Sequence, residues 1–285
     1  MNFFLVSTDH LEDRIWFLDD DDFKAAMNLV AVVQYRTGVS ILAFILMSNH
    51  VHFVLACSAS EAKTFIDTLK NMYALHMRHK YGTPSALSRV GADLRELKLE
   101  GESLQRGIAY TEMNCVAANI CPYPNMYSWG SGGTFFSKSP AKGQKLGTFS
   151  FRAQAGMLKS RAKLPQDYEV SEDGYVLPRS YIPVHFVESL FRTPNTYLHF
   201  LNSSSKARKH LEKDAAPSFR DQLVAGAIQD LCRSLFRTGG LSDLSDNQKS
   251  ELFKQLRRRF SADIPQLSRV SGYAYEEIAA FLEAF

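Results

Sequence analysis

Cysteine is scarce and poorly placed for a scaffold: Cys57, Cys115, Cys121 and Cys232 form no CxxC pair and no dense framework, which argues against a disulfide core or a zinc ribbon. Long hydrophobic runs are missing too. The apolar stretch Ile41 to Met47 falls far short of the roughly 20 residues that cross a bilayer. The opening MNFFLVSTDHLEDR has neither the basic n-region nor the apolar h-region of a secretory signal. The expectation is a reducing, cytoplasmic setting with no membrane segment. Charge of one sign is not in excess either, since 33 basic against 30 acidic side chains leave a net +3. That excludes a uniformly basic coat and makes the distribution of charge the question. No internal repeat is found, and the serine cluster Ser203 to Ser205 is the one short linker-like tract.

What is present is the composition of a soluble globular protein, 45% apolar and 22% charged over 285 residues. That length is near the practical limit of one core, so either a main unit of about 130 residues with a second region, or one domain with large insertions, is expected, and length alone does not choose. Phe3 to Thr8 reads as a buried strand. Asp19 to Asp22 then precede an apolar series, Phe23, Ala26, Met27, Val30 and Val33, at helical spacing, and Gly38 stops it. Two apolar runs, Ser40 to Met47 and Val51 to Cys57, flank Ser48-Asn49 and predict strand, tight turn and strand. Ser60 is placed to cap a second helix with the face Phe65, Ile66, Leu69, Met72 and Tyr73, ended by Gly82-Thr83-Pro84. A third helical pattern covers Glu102 to Ile120, and Cys121-Pro122-Tyr123-Pro124 cannot continue it. The order β-α-β-β-α predicts an α+β fold, an antiparallel sheet with helices packed on it, similar in outline to ferredoxin-like folds. From Ser218 the pattern is helical throughout, giving a mainly helical C-terminal region.

Residues two apart in a strand share a face, so His50 and His52 point together while Val51, Phe53 and Leu55 face the other way. Two imidazoles on one rigid strand make half a site for a divalent cation. Taken alone, a pair of histidines hydrogen-bonded at a sheet end is the better explanation of them. On the third helix Tyr110 and Asn114 stand one turn apart, with Ser103, Gly107 and Ala117 on the same stripe. Such small neighbours would leave room for a bulky group to approach; a surface tyrosine beside an ordinary asparagine is the plainer alternative. His76 and His79, three apart on the second helix, read as groups near a solvated helix end, and His10, His185, His199 and His210 form no interpretable spacing.

Together, Leu46-Met47-Ser48-Asn49-His50-Val51-His52-Phe53-Val54-Leu55, the helix ending near Tyr81-Gly82, Tyr110-Thr111-Glu112-Met113-Asn114 and the run Tyr123 to Trp129 resemble the HUH single-tyrosine transposases, with the REP-associated branch nearest. The resemblance covers about residues 1 to 135. It implies a ferredoxin-like HUH core and metal-dependent cleavage and strand transfer of single-stranded, hairpin-containing DNA through a 5′-phosphotyrosine. His50, His52 and Asn114 match the metal ligands, Tyr110 the nucleophile, and Mg²⁺ or Mn²⁺ the ion. Related enzymes include dimers that share active sites, so a homodimer is compatible with it. Cys115 stands where the family commonly has proline, and Ala117-Ala118-Asn119 replaces a more basic segment. A catalytically silent, domesticated hairpin-binding protein is the alternative, and a metal phosphohydrolase acting on small nucleotides is a third reading.

Between Ser131 and Gln166 the charge balance changes. Lys138, Lys142, Lys145, Arg152, Lys159, Arg161 and Lys163 occur without one acidic residue, interleaved with Phe135, Phe136, Phe149 and Phe151. That is the composition of a strip that follows phosphates and stacks on unpaired bases, or of a solvated insertion with core aromatics. Lys206, Arg208, Lys209, Lys254 and Arg257 to Arg259 could add phosphate contacts. Ile264 to Phe281 has the outline of a helix-turn-helix about Gly272, but its second helix carries Glu276, Glu277 and Glu283 and no Arg, Lys, Gln or Asn. A packing bundle is therefore expected there. The domain reading is 1–130 catalytic, 131–214 a basic and aromatic insertion or connecting region, and 215–285 helical.

Overall fold

A computed structural model describes residues 2–8, 15–82, 91–204 and 219–283. Its fold is α+β. Strand β1 (Phe3–Ser7), helix α1 (Asp20–Thr37), strands β2 (Ser40–Leu46) and β3 (Val51–Ala56), helix α2 (Ala59–Tyr81) and strand β4 (Asp93–Leu97) form an antiparallel sheet in the order β2-β3-β1-β4. The crossover α1 skips one place, and β3 fills the gap between β1 and β2. This is the split βαβ arrangement of ferredoxin-like sheets. Helices α3 (Ser103–Glu112), α4 (Asn114–Ala117), α5 (Phe151–Leu158), α6 (Val184–Phe191) and α7 (Pro194–Ser203) follow, with a two-residue ribbon of β5 (Gln144–Lys145) and β6 (Glu169–Val170). The C-terminal helices are α8 (Asp221–Leu235), α9 (Asp246–Phe260), α10 (Ile264–Ser271) and α11 (Tyr275–Glu283).

Local chemistry explains most boundaries. The Asp19 carboxylate caps α1 by accepting from the Asp22 N–H, and Gly38 closes it in the left-handed conformation at φ 67°. Helix α2 starts earlier than expected. Ser58, not Ser60, is its cap, because Glu61 three residues on returns a bond to the Ser58 N–H and completes a capping box. Strand β4 escapes the sequence pattern because Asp-Leu-Arg-Glu-Leu pairs on one side only and buries little beyond Leu97. The third helical pattern is broken at Met113, with Tyr110 ending up on α3 and Asn114 opening α4.

The sheet has two differently furnished faces. Phe53 of β3 packs on Phe65 of α2, while the next residue back, His52, turns toward α3. Helices α1 and α2 thus cover one face and α3 the other. Past β2, the run expected to matter near Tyr123 to Trp129 covers a sheet edge. The Tyr127 hydroxyl donates to the Leu46 carbonyl, the Leu46 N–H donates to Trp129, and the Ser131 N–H donates to Phe44. Gly130 is required there, because a Cβ would lie 2.8 Å from the Phe44 carbonyl oxygen.

One hydrophobic core runs from Phe3 to Leu201, and a second joins Val224 to Ile278. Leu267 and Ile278 are buried on either side of the Gly272 turn, and Phe281 stacks on Phe253 at 5.6 Å. The C-terminal helices therefore pack as a bundle. Asp221 ties that bundle to the sheet by accepting from the Ser48 hydroxyl at 2.6 Å and from Gln266 at 2.9 Å, with Arg269 beside it. No helix among the described residues is long and apolar enough to cross a membrane.

Candidate active site

The two histidines sit where β3 begins. His50 follows the Ser48-Asn49 turn, and its Nδ1 donates to the Asn49 side-chain oxygen at 3.0 Å. That bond places the proton of the neutral ring on Nδ1 and the lone pair on Nε2. It is the support a metal-ligating imidazole ordinarily receives on its other nitrogen. The turn is held from outside: the Ser48 carbonyl accepts the N–H groups of Trp16 at 2.7 Å and Phe17 at 3.1 Å, and the Ser48 hydroxyl is fixed by Asp221.

The His50 and His52 rings stand perpendicular with centroids 5.1 Å apart, and the Tyr110 ring stands perpendicular to His52 at 5.6 Å. Both imidazoles are buried, whereas Tyr110 is half-buried. Helix α3 can deliver the phenol there because its other side is apolar: Leu104, Ile108 and Ala109 are wholly buried against the sheet. Asn114 lies one turn further on. Its side-chain nitrogen donates to the Tyr110 and Thr111 carbonyls at 3.0 Å each. Tyr110 and the histidine pair are thus brought together directly, and Asn114 is tied to them through the Tyr110 backbone.

The stripe of small residues serves packing and not approach. A Cβ on Gly107 would lie 2.5 Å from a Leu97 methyl, so that glycine receives β4, and Ala117 is buried. Among the described residues no three or more His, Cys, Asp and Glu side chains gather as a metal cluster. The third protein donor that the resemblance assigns is Asn114, whose side-chain nitrogen is engaged with its own helix. Two imidazole nitrogens and one amide oxygen, all neutral, fit an open divalent site with places left for phosphate and water oxygens; the nitrogen share favours Mn²⁺ over the oxygen-seeking Mg²⁺.

Behind Tyr110, Glu112 is buried between α3 and α7. It accepts from the Tyr197 hydroxyl and, at 3.4 Å, from the Ser131 hydroxyl. Burial pushes its carboxyl up to about 7, against the pull of those two hydroxyls. Burial and the nearby Glu112 charge also hold the Tyr197 phenol well above its ordinary value, so it remains a donor. Sequence reading passed over Glu112, whose partners are separated from it in the chain.

His76 is not a solvated helix-end group, since its Nε2 lies 3.1 Å from Asp22, a wholly buried carboxylate. Asp22 also takes Lys80 at 2.9 Å, Tyr81 at 2.9 Å and the Leu18 N–H at 2.9 Å, and those bonds outweigh burial and hold its carboxyl below the usual range. His79 is exposed, and His10, His210, Lys206, Arg208 and Lys209 lie outside the described residues.

Lys138, Lys142, Lys145, Arg152, Lys159, Arg161 and Lys163 are all exposed, and none pairs with a carboxylate among the described residues. Arg152 on α5 and Lys159 just after it belong to the segment packed beside α1, where Asn28 of α1 holds the Met157 and Gly174 carbonyls at 3.1 and 3.0 Å. The phenylalanines among them divide. Phe135 is buried and Phe136 half-buried, both packed against Tyr197, while Phe151 is exposed. Comparison of the chain with protein-family models, with curated proteins and with solved structures finds no match.

Proposed function

We propose that the chain cuts and rejoins single-stranded DNA at hairpin-containing sites, with Tyr110 as nucleophile and His50, His52 and Asn114 as the residues that would hold a divalent ion. One observation carries the reading: a half-exposed phenol stands 5.6 Å, ring to ring, from a histidine that is itself 5.1 Å from a second. The partners come from a strand and a helix far apart in the chain, and each retains the residue type that phosphotransfer to tyrosine requires. The Tyr110 oxygen would bond to phosphorus as the bond to the 3′ oxygen breaks, and the proton lost by the phenol is matched by the one the departing oxygen takes up. A 5′-phosphotyrosine and a 3′-hydroxyl result. Because phenol ionises near pH 10, well below an aliphatic alcohol, the tyrosine is a workable leaving group when a 3′-hydroxyl reattacks. Bound Mg²⁺ or Mn²⁺ supplies polarisation of the phosphate. The protein's own part is positional: β3 fixes the imidazoles, the Asn49 bond sets the His50 tautomer, and the apolar face of α3 holds the phenol against them.

The test is incubation with labelled hairpin-containing single strands and Mn²⁺ or Mg²⁺, followed by denaturing electrophoresis. A covalent protein–DNA band is expected for the native chain and none for Tyr110→Phe. Salt-sensitive binding with no tyrosine-dependent band would instead support a silent DNA-binding protein, and turnover of small nucleotides that survives Tyr110→Phe would support a phosphohydrolase.

A further inference from the structure

The face of the sheet away from Tyr110 carries an open groove of about 550 Å³ between the end of α1 and the segment around α5. Tyr35, Phe149, Phe151, Lys163, Pro165 and Gln166 line it. Two of its aromatics are unusually bare, Tyr35 at 49% and Phe151 at 53% exposure. They come from parts of the chain more than a hundred residues apart, and the junction that brings them together is built. Arg36 reaches across from α1 to the Ser160 hydroxyl at 3.2 Å, and the Gln154 amide nitrogen donates to the Leu146 and Phe149 carbonyls and to Gln166. Lys163 is the cation in its wall, and the exposed Arg152 follows Phe151 in α5; neither pairs with a carboxylate among the described residues. Asp167, next to Gln166, is exposed.

We infer that this groove is a stacking site for unpaired nucleobases, with Tyr35 and Phe151 as the platforms and Lys163 and Arg152 on the phosphates. Charge complementarity selects the occupant. Exposed aromatic faces within a run of unpaired cations suit a polyanion that also carries flat apolar rings, which single-stranded nucleic acid is and an acidic peptide is not. The site deepens the DNA reading given above and rests on it for its biological role, but its binding is measurable without any cleavage. Strand β2 leads from the groove end of the sheet to the histidine end, about 20 Å at roughly 3.3 Å per residue. A strand engaged at both places therefore has to pass around the sheet edge, and the groove would hold sequence away from the cut and not the scissile phosphate itself.

The experiment uses the full chain with Tyr110→Phe, in chelator and without divalent ions, titrated into a fluorescein-labelled oligothymidylate of about 15 nucleotides. Tyr35→Ala and Phe151→Ala should each weaken binding by about tenfold and leave the slope of log affinity against log salt unchanged, since each removes a stacking platform and no charge. Lys163→Ala should lower that slope by about 0.7, the single-strand value for one phosphate contact. Phe151→Trp should bind as well as the parent and show emission quenched by the oligonucleotide, against a background of Trp16 and Trp129, which are both buried. Parent-like affinity in both alanine variants with no quenching at position 151 would overturn the proposal. So would polyglutamate binding as tightly as oligothymidylate with the same insensitivity to the aromatics, which would mark a plain polyanion surface. Groove binding without any Tyr110 adduct would sink the cleavage reading alone, and an adduct without groove binding would sink this one alone.

Discussion

Replacing Glu112 with glutamine isolates a buried ionisation whose sign and size follow from its surroundings. The carboxyl is almost wholly buried, and the loss of water raises it from the ordinary 4.5 to about 7 although Tyr197 and Ser131 donate to it. The folded chain therefore holds this proton more tightly than the unfolded chain does. The resulting contribution to stability is fully present below about pH 4.5 and is lost as pH rises through about 7. At about 1.4 kcal/mol per pH unit, the whole effect is about 3 kcal/mol. Glutamine keeps an oxygen for Tyr197 and Ser131 but has no proton to lose. Any fixed packing penalty it introduces is the same at every pH, so the informative quantity is how its effect on stability changes with pH. Urea unfolding of both proteins, followed by the emission of the buried Trp16 and Trp129, should show Glu112→Gln gaining about 2–3 kcal/mol relative to the native chain between about pH 5 and pH 8.5. A difference that stays flat across that interval would mean that Glu112 ionises no differently once folded, and the account of its burial would be wrong.

Removing the Asp221 carboxylate should loosen the C-terminal bundle from the sheet. Asp221→Ala leaves Ser48, Gln266 and Arg269 without their shared acceptor and is expected to lose about 2–4 kcal/mol in urea unfolding; Ser48→Ala, which deletes one bond, should lose about 1 kcal/mol. An unchanged midpoint for Asp221→Ala would show that the bundle is held elsewhere. Two glycines should behave oppositely. A Cβ on Gly132 meets the Pro124 carbonyl oxygen at 2.6 Å, so Gly132→Ala should lower the thermal midpoint by several degrees, at about 1–3 kcal/mol. Gly156 sits inside α5 with nothing near its Cβ position, so Gly156→Ala should raise the midpoint through about 0.5–1 kcal/mol. Calorimetry of the pair decides both, and equal shifts would contradict the difference in packing.

The sequence by itself determined the features governed by neighbours along the chain. Asp19 and Gly38 bracket α1 because a short carboxylate caps N–H groups and glycine takes a positive φ without strain. The short apolar runs on either side of Ser48-Asn49 read as buried strands, and the two-residue period put His50 and His52 on one face whatever lay opposite. What lay opposite was decided by tertiary packing. The Tyr110 ring reaches His52 because α3 buries Leu104 and Ile108 against the sheet, and spacing within the helix carries no information about that distance. Strand β4 was hidden because an edge strand with polar side chains has no hydrophobic alternation to read, and Gly107 looked like open space until Leu97 of that strand filled it. The same limit applies to Phe135 and Phe151, which have similar neighbours in sequence and opposite fates in the fold. Burial is a property of what a residue meets across the molecule, and so are the partners that set the ionisation of Glu112 and that bring Tyr35 and Phe151 to one groove.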